Sequence, residues 1–537
     1  MASDYHLHTL DIAALLFSLL IIILITIYSA RRAKDTESYF LVGRNAPGWA
    51  VGVSFIATSV SSLTFLAFPA AAYAGNWTGV VPFWVIPFVA IIADRVCLPI
   101  YRRANVISGY EYLERRFNPF VRLYSSMMFL LLQFARVGLI LVLFSMPLKL
   151  LTNLSQTNAI LLCGLLTTTY VLFGGFNAVL WTDVIQTIIL SLGGLFCVGV
   201  MVWDLPGGLS TIIDVGREAD KFALPPLHVT GQLSWADFTH LTLIVLILHG
   251  IFNQLLYYSA DQNVIQRYLA PSSKTQSRIA LWVGSLGVVP TFTFFTFLGT
   301  CLYGYYVKLA DPAVASLQPE QVFPHFILTR LPRGIVGLII SAVIAAAMSS
   351  VDSNLNAIAL VFQIDIYERH IVKNRSDRHY LRVAKITTLI GGLAMTLSAL
   401  ALTKVNAETI LDLMFLVYAI FAGGLAGIFI LGMVSTRAST LGVVAGIMVS
   451  CILNAYLTCS HFGWLIPEKW QPSVHPYLIG AISNTVLIMV GYLVSLFSRR
   501  TRQREGISRL TIWTIADTHT NAPRTPETKC FSDSDGK

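Results

Sequence analysis

The sequence predicts an all-α integral membrane protein with about thirteen transmembrane helices. Two observations lead to this fold class. The chain of 537 residues is 55% hydrophobic and only 12% charged, a balance that a water-soluble domain of this size cannot bury in its core. Apolar runs of about 20 residues recur along it, and each is long enough to cross a hydrocarbon layer of about 30 Å as a helix.

The predicted spans follow one another with mostly short polar connections. They cover residues 11–29, 46–75, 80–101, 122–151, 157–175, 182–204, 238–258, 279–305, 334–363, 384–403, 410–433, 440–459 and 477–498. The first span has no small-residue cleavage site after it and is too long for the core of a signal peptide, so we expect it to be retained. Residues 1–498 form the predicted transmembrane domain.

Lysine and arginine residues predict how the spans are oriented. If the N-terminus lies outside, the short inside loops carry 19 basic residues and the outside loops carry eight. Because short inside loops are enriched in basic residues, the N-terminus is predicted outside and the C-terminus inside. The net charge of +9 then follows from topology and needs no nucleic-acid partner. Residues 499–537 are basic and then polar, which predicts a disordered cytoplasmic tail.

The second predicted span is interrupted by polar residues. The stretch "SFIATSVSSLTFLAF" crowds hydroxyl groups into its middle, from Thr58, Ser59, Ser61, Ser62 and Thr64. A helix that unwinds there exposes backbone carbonyls, which a membrane tolerates only where they line a cavity inside the protein. Carbonyls of Ala57 and Val60 are therefore available as oxygen ligands.

The ninth predicted span carries a second polar interruption, "AAAMSSVDSNLNA". Four of its residues fall at i, i+3, i+4 and i+7 and therefore share one face of a helix: Ala346, Ser349, Ser350 and Ser353. Asp352 lies at the edge of this face. Hard cations such as Na⁺ prefer oxygen ligands, so the stripe facing the unwound second span predicts a sodium site. The alternative is that small residues only allow close helix packing, which would not require the aspartate.

Arg136 is a basic residue inside a predicted span, near the membrane midplane. A guanidinium at this depth costs at least about 2.5 kcal/mol, so it should face a cavity and an anionic partner. That partner is either a substrate anion or a buried carboxylate, for which Asp183 and Asp352 are the candidates.

Six segments together resemble one transporter family. In chain order they are "ATSVSSLTFLAFPAAAYAGNW", "ISGYEYLERRF", "FARVGLI", "GGFNAVLWTDVIQ", "DQNVIQRYL" and "AAAMSSVDSNLNAIALVFQIDIY". With them the chain resembles the sodium/solute symporter family, and within it the sialic acid transporter branch. The resemblance implies a LeuT-type fold of two inverted five-helix repeats plus peripheral helices. It also implies that the second and seventh spans are broken helices.

The resemblance further implies two cation sites. The shared sodium site falls on Ala57, Val60, Ala346, Ser349 and Ser350. A second site, for Na⁺ or a proton, falls on Asp183, Ser349, Asp352 and Ser353. Asp352 stands where the family pattern has a serine. The extra carboxylate should either bind a cation more strongly or take up a proton, because like charges cannot share a dry site. Two Na⁺ ions, or one Na⁺ and one H⁺, both remain open.

For the substrate, the resemblance implies contacts to an acidic sugar from Ser59, Ser61, Thr64 and Arg136, with the arginine binding the carboxylate. Phe83 replaces an expected glutamine, which weakens the case for a glycerol side chain and makes a uronate a competitor of sialic acid. Asn253 and Gln254 in the seventh span fit a polar lining of the same site.

The implied function is Na⁺-coupled import of an acidic sugar, sialic acid or a related monocarboxylate, by alternating access. No bond is broken, so we expect no enzyme activity and no organic cofactor. The seven cysteines are scattered and show no paired spacing, so we expect no transition-metal site. The expected partners are a small anionic substrate and the lipid bilayer, and we expect a functional monomer in the bacterial inner membrane. The alternatives are a symporter of neutral sugars, amino acids or vitamins and, more remotely, a membrane-embedded enzyme or sensor.

Overall fold

The structure, a computed structural model of the chain, describes residues 8–32, 35–152, 154–227, 238–403, 424–464, 466–498 and 510–516. Within these ranges the backbone is helical almost throughout, and an isolated bridge between Ala46 and Pro271 is the only β-type pairing. We number the α-helices in chain order. Predicted span 410–433 and tail 499–537 lie largely outside the described residues.

The first part of the chain contains eleven α-helices within the described ranges. They are α1 Thr9–Ala30, α2 Thr36–Leu41, α3 Gly48–Ser59, α4 Ser62–Ala74, α5 Val81–Trp84, α6 Ile86–Ile92, α7 Leu98–Ala104, α8 Gly109–Arg116, α9 Pro119–Thr152, α10 Gln156–Asp204 and α11 Gly208–Glu218. A π-helical turn, Ala93–Cys97, joins α6 to α7.

The second part continues in the same manner. Its described α-helices are α12 Leu243–Ala260, α13 Gln262–Leu269, α14 Lys274–Leu309, α15 Pro319–Arg330, α16 Ile335–Val361, α17 Asp377–Leu402, α18 Leu425–Val434, α19 Thr440–His461, α20 Ile479–Phe497 and α21 Ile512–Ala516. A π-helical segment, Phe362–Ile371, extends α16.

The predicted count of thirteen spans is not confirmed. In the described ranges ten helical segments are long and apolar enough to cross a membrane, or eleven if the bent pair α3–α4 is one span. Two predicted spans, 157–175 and 182–204, are joined in α10, whose 49 residues would reach about 74 Å if straight. Gly175, with φ +56°, breaks this helix. A Cβ there would lie 2.6 Å from the Tyr39 carbonyl, so glycine is required at the break.

The predicted interruption of the second span is confirmed. Helix α3 ends at Ser59, Val60 adopts an extended backbone, and α4 starts at Ser62 with its axis turned by 52°. The seventh span is also broken, between α12 and α13 at Asp261, whose backbone is extended. Hydroxyls of Tyr101 and Tyr110 donate to the freed carbonyls of Ser259 and Ala260, at 2.5 and 2.9 Å, so the buried backbone remains satisfied.

Helix α16, which carries the oxygen stripe, lies at the centre of the bundle. In its most apolar stretch of 18 residues, 81% of the residues are buried inside the protein. In the corresponding stretch of α1 only 6% are buried, so α1 lies at the surface of the bundle. Helix α16 packs against α9, α10 and α1, while α3 packs against α10 and α14. The stripe and the broken second span therefore meet in the interior rather than at the lipid surface.

Helix α1 is fastened to the beginning of α16. The Asp11 carboxylate accepts hydrogen bonds from the backbone N–H groups of Gly334 and Gly337, at 2.7 and 2.9 Å. The two backbones touch here, since a Cβ on Gly337 would lie 2.3 Å from the Cα of Asp11. Asp11 is fully buried, so the first helix is joined to the central helix by a specific polar contact.

Candidate functional site

The broken end of α3 meets the oxygen stripe of α16 as the sequence predicts. The hydroxyl of Ser349 donates to the carbonyl of Ala57 at 3.0 Å. Ala57, Val60 and Ser349 line one narrow cavity of about 10 Å³. Ser350 is buried at the edge of the neighbouring large cavity. Ala346 lies in the same helix one turn earlier, and its side chain is outside the described part of the structure.

The predicted second cation site is built around a buried arginine. One carboxylate oxygen of Asp183 accepts from the Ser54 hydroxyl at 2.6 Å and from the Arg267 guanidinium at 3.2 Å. The same guanidinium nitrogen lies 3.0 Å from the Ser353 hydroxyl and also contacts Thr58. Arg267 is 2% exposed and Asp183 is fully buried, so this is an ion pair without solvent.

Asp352 belongs to the same interior region but has a different partner. One of its carboxylate oxygens accepts a hydrogen bond from the Tyr170 hydroxyl. Its other oxygen is buried and has no hydrogen-bond partner among the described residues. The second oxygen of Asp183 is in the same situation. Two carboxylates therefore each present an oxygen that the described protein atoms leave unused.

The position of Arg267 corrects the sequence analysis, which counted it among the basic residues of an inside loop. It lies on α13, whose side chains are all buried, and its guanidinium stacks over Phe176 at 5.3 Å. Without it the inside loops carry 18 basic residues instead of 19, so the predicted orientation is unaffected. The segment "DQNVIQRYL" contained the arginine, but no local pattern identified Asp183 as its partner.

The predicted substrate residues line one large cavity. Its volume is about 250 Å³, and it extends from the break at Val60 towards the end of α19 and the start of α20. Seven predicted residues contribute to its wall: Ser59, Ser61, Thr64, Phe83, Arg136, Asn253 and Gln254. In the predicted topology the His461 end of this cavity faces outside.

Arg136 has a protein counter-ion that the sequence analysis did not identify. Its guanidinium lies 3.4 Å from the carboxylate of Asp261, in the break between α12 and α13. Neither of the two candidates, Asp183 and Asp352, is this partner. Asp261 also caps α13 by accepting from the backbone N–H of Asn263 at 2.9 Å. A strong guanidinium–carboxylate contact is about 2.7–2.9 Å, so the Arg136 contact is a long one.

One wall of the large cavity is aromatic. Phe83 stacks on Phe292 with ring centroids 3.8 Å apart, and Phe68 packs edge-on against both rings. Ser59, on the opposite side of the break, donates to the Phe55 carbonyl at 2.9 Å and lies 3.2 Å from the Tyr257 hydroxyl. The cavity thus combines an apolar wall with hydroxyl groups and one guanidinium.

A separate cluster of charged residues lies at the end of the helix bundle that is predicted to be inside. Arg122 contacts Asp365 and Glu114, at 2.7 and 2.8 Å, and Arg369 forms a second ion pair with Glu114. Partial burial pushes the pKa of Glu114 up, but the hydrogen bonds and charges of Arg369 and Arg122 outweigh it and hold this pKa below its ordinary value. Glu114 is therefore a carboxylate at neutral pH and links α8, α9 and the π-helical segment.

Comparison with known proteins identifies relatives along most of the chain. Residues 39–450 match the model of the sodium:solute symporter family. The sodium/sialic acid symporter SiaT of Proteus mirabilis is 33% identical over 486 residues, covering 90% of this chain and 95% of the relative. The sodium/sialic acid symporter NanT of Aliivibrio fischeri is 30% identical over 487 residues, covering 91% and 93%. Human sodium-coupled monocarboxylate transporter 1 is 26% identical, covering 79% and 68%.

Solved structures show the same relationship. A substrate-bound, outward-open Na⁺-coupled sialic acid symporter superimposes with a TM-score of 0.83 at 31% identity, covering 93% of this chain and all of that one. The nucleobase-cation symporter Mhp1, at 14% identity and a TM-score of 0.56, shares the fold alone. These likenesses confirm the LeuT-type fold.

The relatives are transporters, and this protein is a transporter rather than an enzyme. Its apolar spans and bacterial relatives make it a multi-pass protein of the inner membrane. The family match and the long alignments together show that the chain belongs to the sodium:solute symporter family.

Proposed function

We propose that this protein is a Na⁺-coupled symporter that imports sialic acid or a closely related acidic sugar. The observation that carries the proposal is the meeting of the broken second span with the α16 stripe, where the Ser349 hydroxyl and the Ala57 carbonyl are 3.0 Å apart beside the large cavity. Relatives of 30% and 33% identity that are named sodium/sialic acid symporters support it.

The first Na⁺ is proposed to bind between α3 and α16. Its ligands would be the backbone carbonyls of Ala57, Val60 and Ala346 and the hydroxyls of Ser349 and Ser350. These are neutral oxygen donors, which suits a hard monovalent cation. The chemistry fits because the helix break frees carbonyls that a continuous helix would use internally.

A second cation is proposed at the deep cluster of Asp183, Asp352, Ser349 and Ser353. With both acids ionised and Arg267 positive, the charge of this cluster is minus one. One monovalent cation, Na⁺ or H⁺, therefore neutralises it, whereas two would leave it positive in a low-dielectric interior. The unused oxygens of Asp183 and Asp352 are the expected ligands.

The second cation has an energetic purpose. A tenfold Na⁺ gradient is worth about 1.4 kcal/mol, and moving one charge through 100 mV about 2.3 kcal/mol. Two Na⁺ ions with one monoanion then supply about 5 kcal/mol, while one Na⁺ supplies only about 1.4 kcal/mol.

With Asp183→Asn the deep cluster keeps no net charge, so the Hill slope of uptake against Na⁺ should fall from two-site to one-site behaviour. An unchanged slope would remove this site from the proposal.

Arg136 is proposed to bind the substrate carboxylate. A guanidinium has five N–H donors, so it can hold Asp261 and a ligand carboxylate together. Ser59, Ser61, Thr64, Asn253 and Gln254 would meet the hydroxyl and amide groups of the sugar. The monomer contains the whole proposed site, so no second copy is needed to complete it.

A less hydroxylated acid, such as a uronate or another monocarboxylate, is a second candidate substrate. The stacked pair of Phe83 and Phe292 favours it, because these rings offer no hydrogen bond to a glycerol chain. Relatedness to sodium-coupled monocarboxylate transporters agrees with such a substrate.

The test is uptake into proteoliposomes of purified protein. Labelled sialic acid should accumulate with an inward Na⁺ gradient and not with K⁺ in its place. Competition by unlabelled sialic acids, uronates, neutral sugars and amino acids then ranks the substrates. Uptake that is blocked by a neutral sugar and indifferent to every acid would contradict the proposed substrate class.

A further inference from the structure

Helix α10 contributes an amide side chain to the region where the first Na⁺ is proposed to bind. Gln186 lines the same narrow cavity as Ala57, Val60 and Ser349. It is 4% exposed, so it lies in the interior rather than at the lipid surface. Helix α10 packs against both α3 and α16, which bear the proposed ligands.

We propose that Gln186 is a further Na⁺ ligand, through its side-chain oxygen, and that it completes the first sodium site from a third helix. This inference rests on the proposed function, since it concerns the same site. Gln186 is the last residue of the segment "GGFNAVLWTDVIQ", but neither the two cation sites implied by the resemblance nor the oxygen stripe on α16 includes it.

The amide of Gln186 has no other use among the described residues. Neither its oxygen nor its nitrogen has a hydrogen-bond partner there. Buried polar side-chain atoms are nearly always paired, so an amide with both ends unpaired indicates a partner other than protein. Gln186 therefore combines the two features expected of an ion ligand, an available oxygen and a position on the cavity wall.

The other side of Gln186 offers no partner. It also borders an apolar cavity of about 80 Å³ between α1, α9, α10 and α16. Three hydroxyl residues in the wall of that cavity, Ser18, Thr182 and Ser341, donate to carbonyls of their own helices at 2.8–3.0 Å. The hydroxyl protons of the apolar cavity are therefore already used, which leaves the side-chain oxygen of Gln186 available to a cation in the narrow cavity.

The helix face explains how Gln186 relates to the deep cluster. Asp183 and Gln186 are three residues apart on α10, and i and i+3 positions share one face of a helix. Asp183 faces Ser54 of α3, and Gln186 faces the cavity of Ala57, which is three residues along α3. One face of α10 therefore presents an oxygen ligand at each of the two proposed cation sites.

Sodium binding is measured as the melting temperature of the detergent-solubilised protein at rising Na⁺, with K⁺ keeping the ionic strength constant and no substrate present. Gln186→Leu removes the oxygen, and Gln186→Met does so with the unbranched shape kept, in case the first variant does not fold. Gln186→Glu retains an oxygen. The control is Gln363→Leu, another buried glutamine, which lies in the π-helical segment and is not among the residues that line either cavity.

The Na⁺ concentration for half-maximal stabilisation should rise about tenfold or more in Gln186→Leu or Gln186→Met, because loss of even an outer-shell partner of a metal ligand typically weakens binding about tenfold or more. Gln363→Leu should stay close to the wild type, and Gln186→Glu, which keeps an oxygen and adds a negative charge, should bind Na⁺ at least as tightly as the wild type. The inference is overturned if Gln186→Leu and Gln186→Met titrate like the wild type, or if Gln186→Glu is shifted as far as they are. A wild type without any Na⁺ response would instead overturn the proposed function.

Discussion

The ion pair between Asp183 and Arg267 makes a quantitative prediction through a double-mutant cycle. The single variants are Asp183→Asn and Arg267→Met, and the third is their combination. The charges lie 3.2 Å apart, and both side chains are almost fully buried. At an effective dielectric constant of about 20 their attraction is about 5 kcal/mol, and removal of one partner of a buried pair typically costs about 3–5 kcal/mol.

The two single variants should differ, because Asp352 remains in the cluster. Asp183→Asn leaves one acid and one arginine, so its cost should lie near the lower value of about 3 kcal/mol. Arg267→Met leaves two carboxylates without a cation, so its cost should reach about 5 kcal/mol. The double variant keeps a single acid, and its cost should be at least 2 kcal/mol below the sum of about 8 kcal/mol.

The measurement is urea-induced unfolding in micelles of a neutral detergent, followed by tryptophan fluorescence in NaCl and in KCl. Arg267→Met should be partly rescued by NaCl, since Na⁺ can take the place of the missing charge. Costs that add within about 0.5 kcal/mol would show that the two residues do not interact. Equal behaviour of Arg267→Met in both salts would refute the charge count of the deep cluster.

Three further predictions concern the other charged residues. Arg136→Ala should weaken the binding of acidic sugars at least about a hundredfold, as loss of two charge-assisted hydrogen bonds implies, and isothermal titration checks this; retained affinity ends the carboxylate assignment. Asp352→Ser removes the acid beside Tyr170, so the pH dependence of uptake at fixed Na⁺ should become flatter, and an unchanged profile would exclude a proton there. Glu114→Gln should lower the melting temperature at pH 7 by a few degrees. Because the pKa of Glu114 is lowered in the folded protein, the carboxylate stabilises the fold above its ordinary pKa, and this stabilisation disappears as the pH falls through the lowered pKa. The melting temperatures of the variant and the wild type should therefore converge on acidification.

The elements that local sequence determines were predictable. Hydroxyl residues within an apolar span indicated the break at Val60, because a continuous membrane helix has no use for so many of them. Spacing of i, i+3 and i+4 placed Ser349 and Ser350 on one face, and the structure brings Ser349 to the Ala57 carbonyl. In both cases the signal lies within a few residues of the feature.

The elements that depend on distant contacts were not predictable. Arg267 follows the end of the seventh span, where a basic residue usually indicates a loop. It is buried because α13 packs against α3, α14 and α16 and because its guanidinium reaches Asp183 and Phe176 of α10. Asp261 was likewise overlooked, since its neighbour Arg136 is 125 residues earlier in the chain.

The Asp11 contact ties the peripheral first helix to the helix that carries the proposed sodium ligands. If α16 tilts or shifts when the transporter changes its access, α1 must follow, since their backbones touch at Gly337. Spin labels or fluorophores on the exposed residues Leu16 and Leu20 of α1 would then report that movement in lipid while leaving the ion ligands themselves unlabelled.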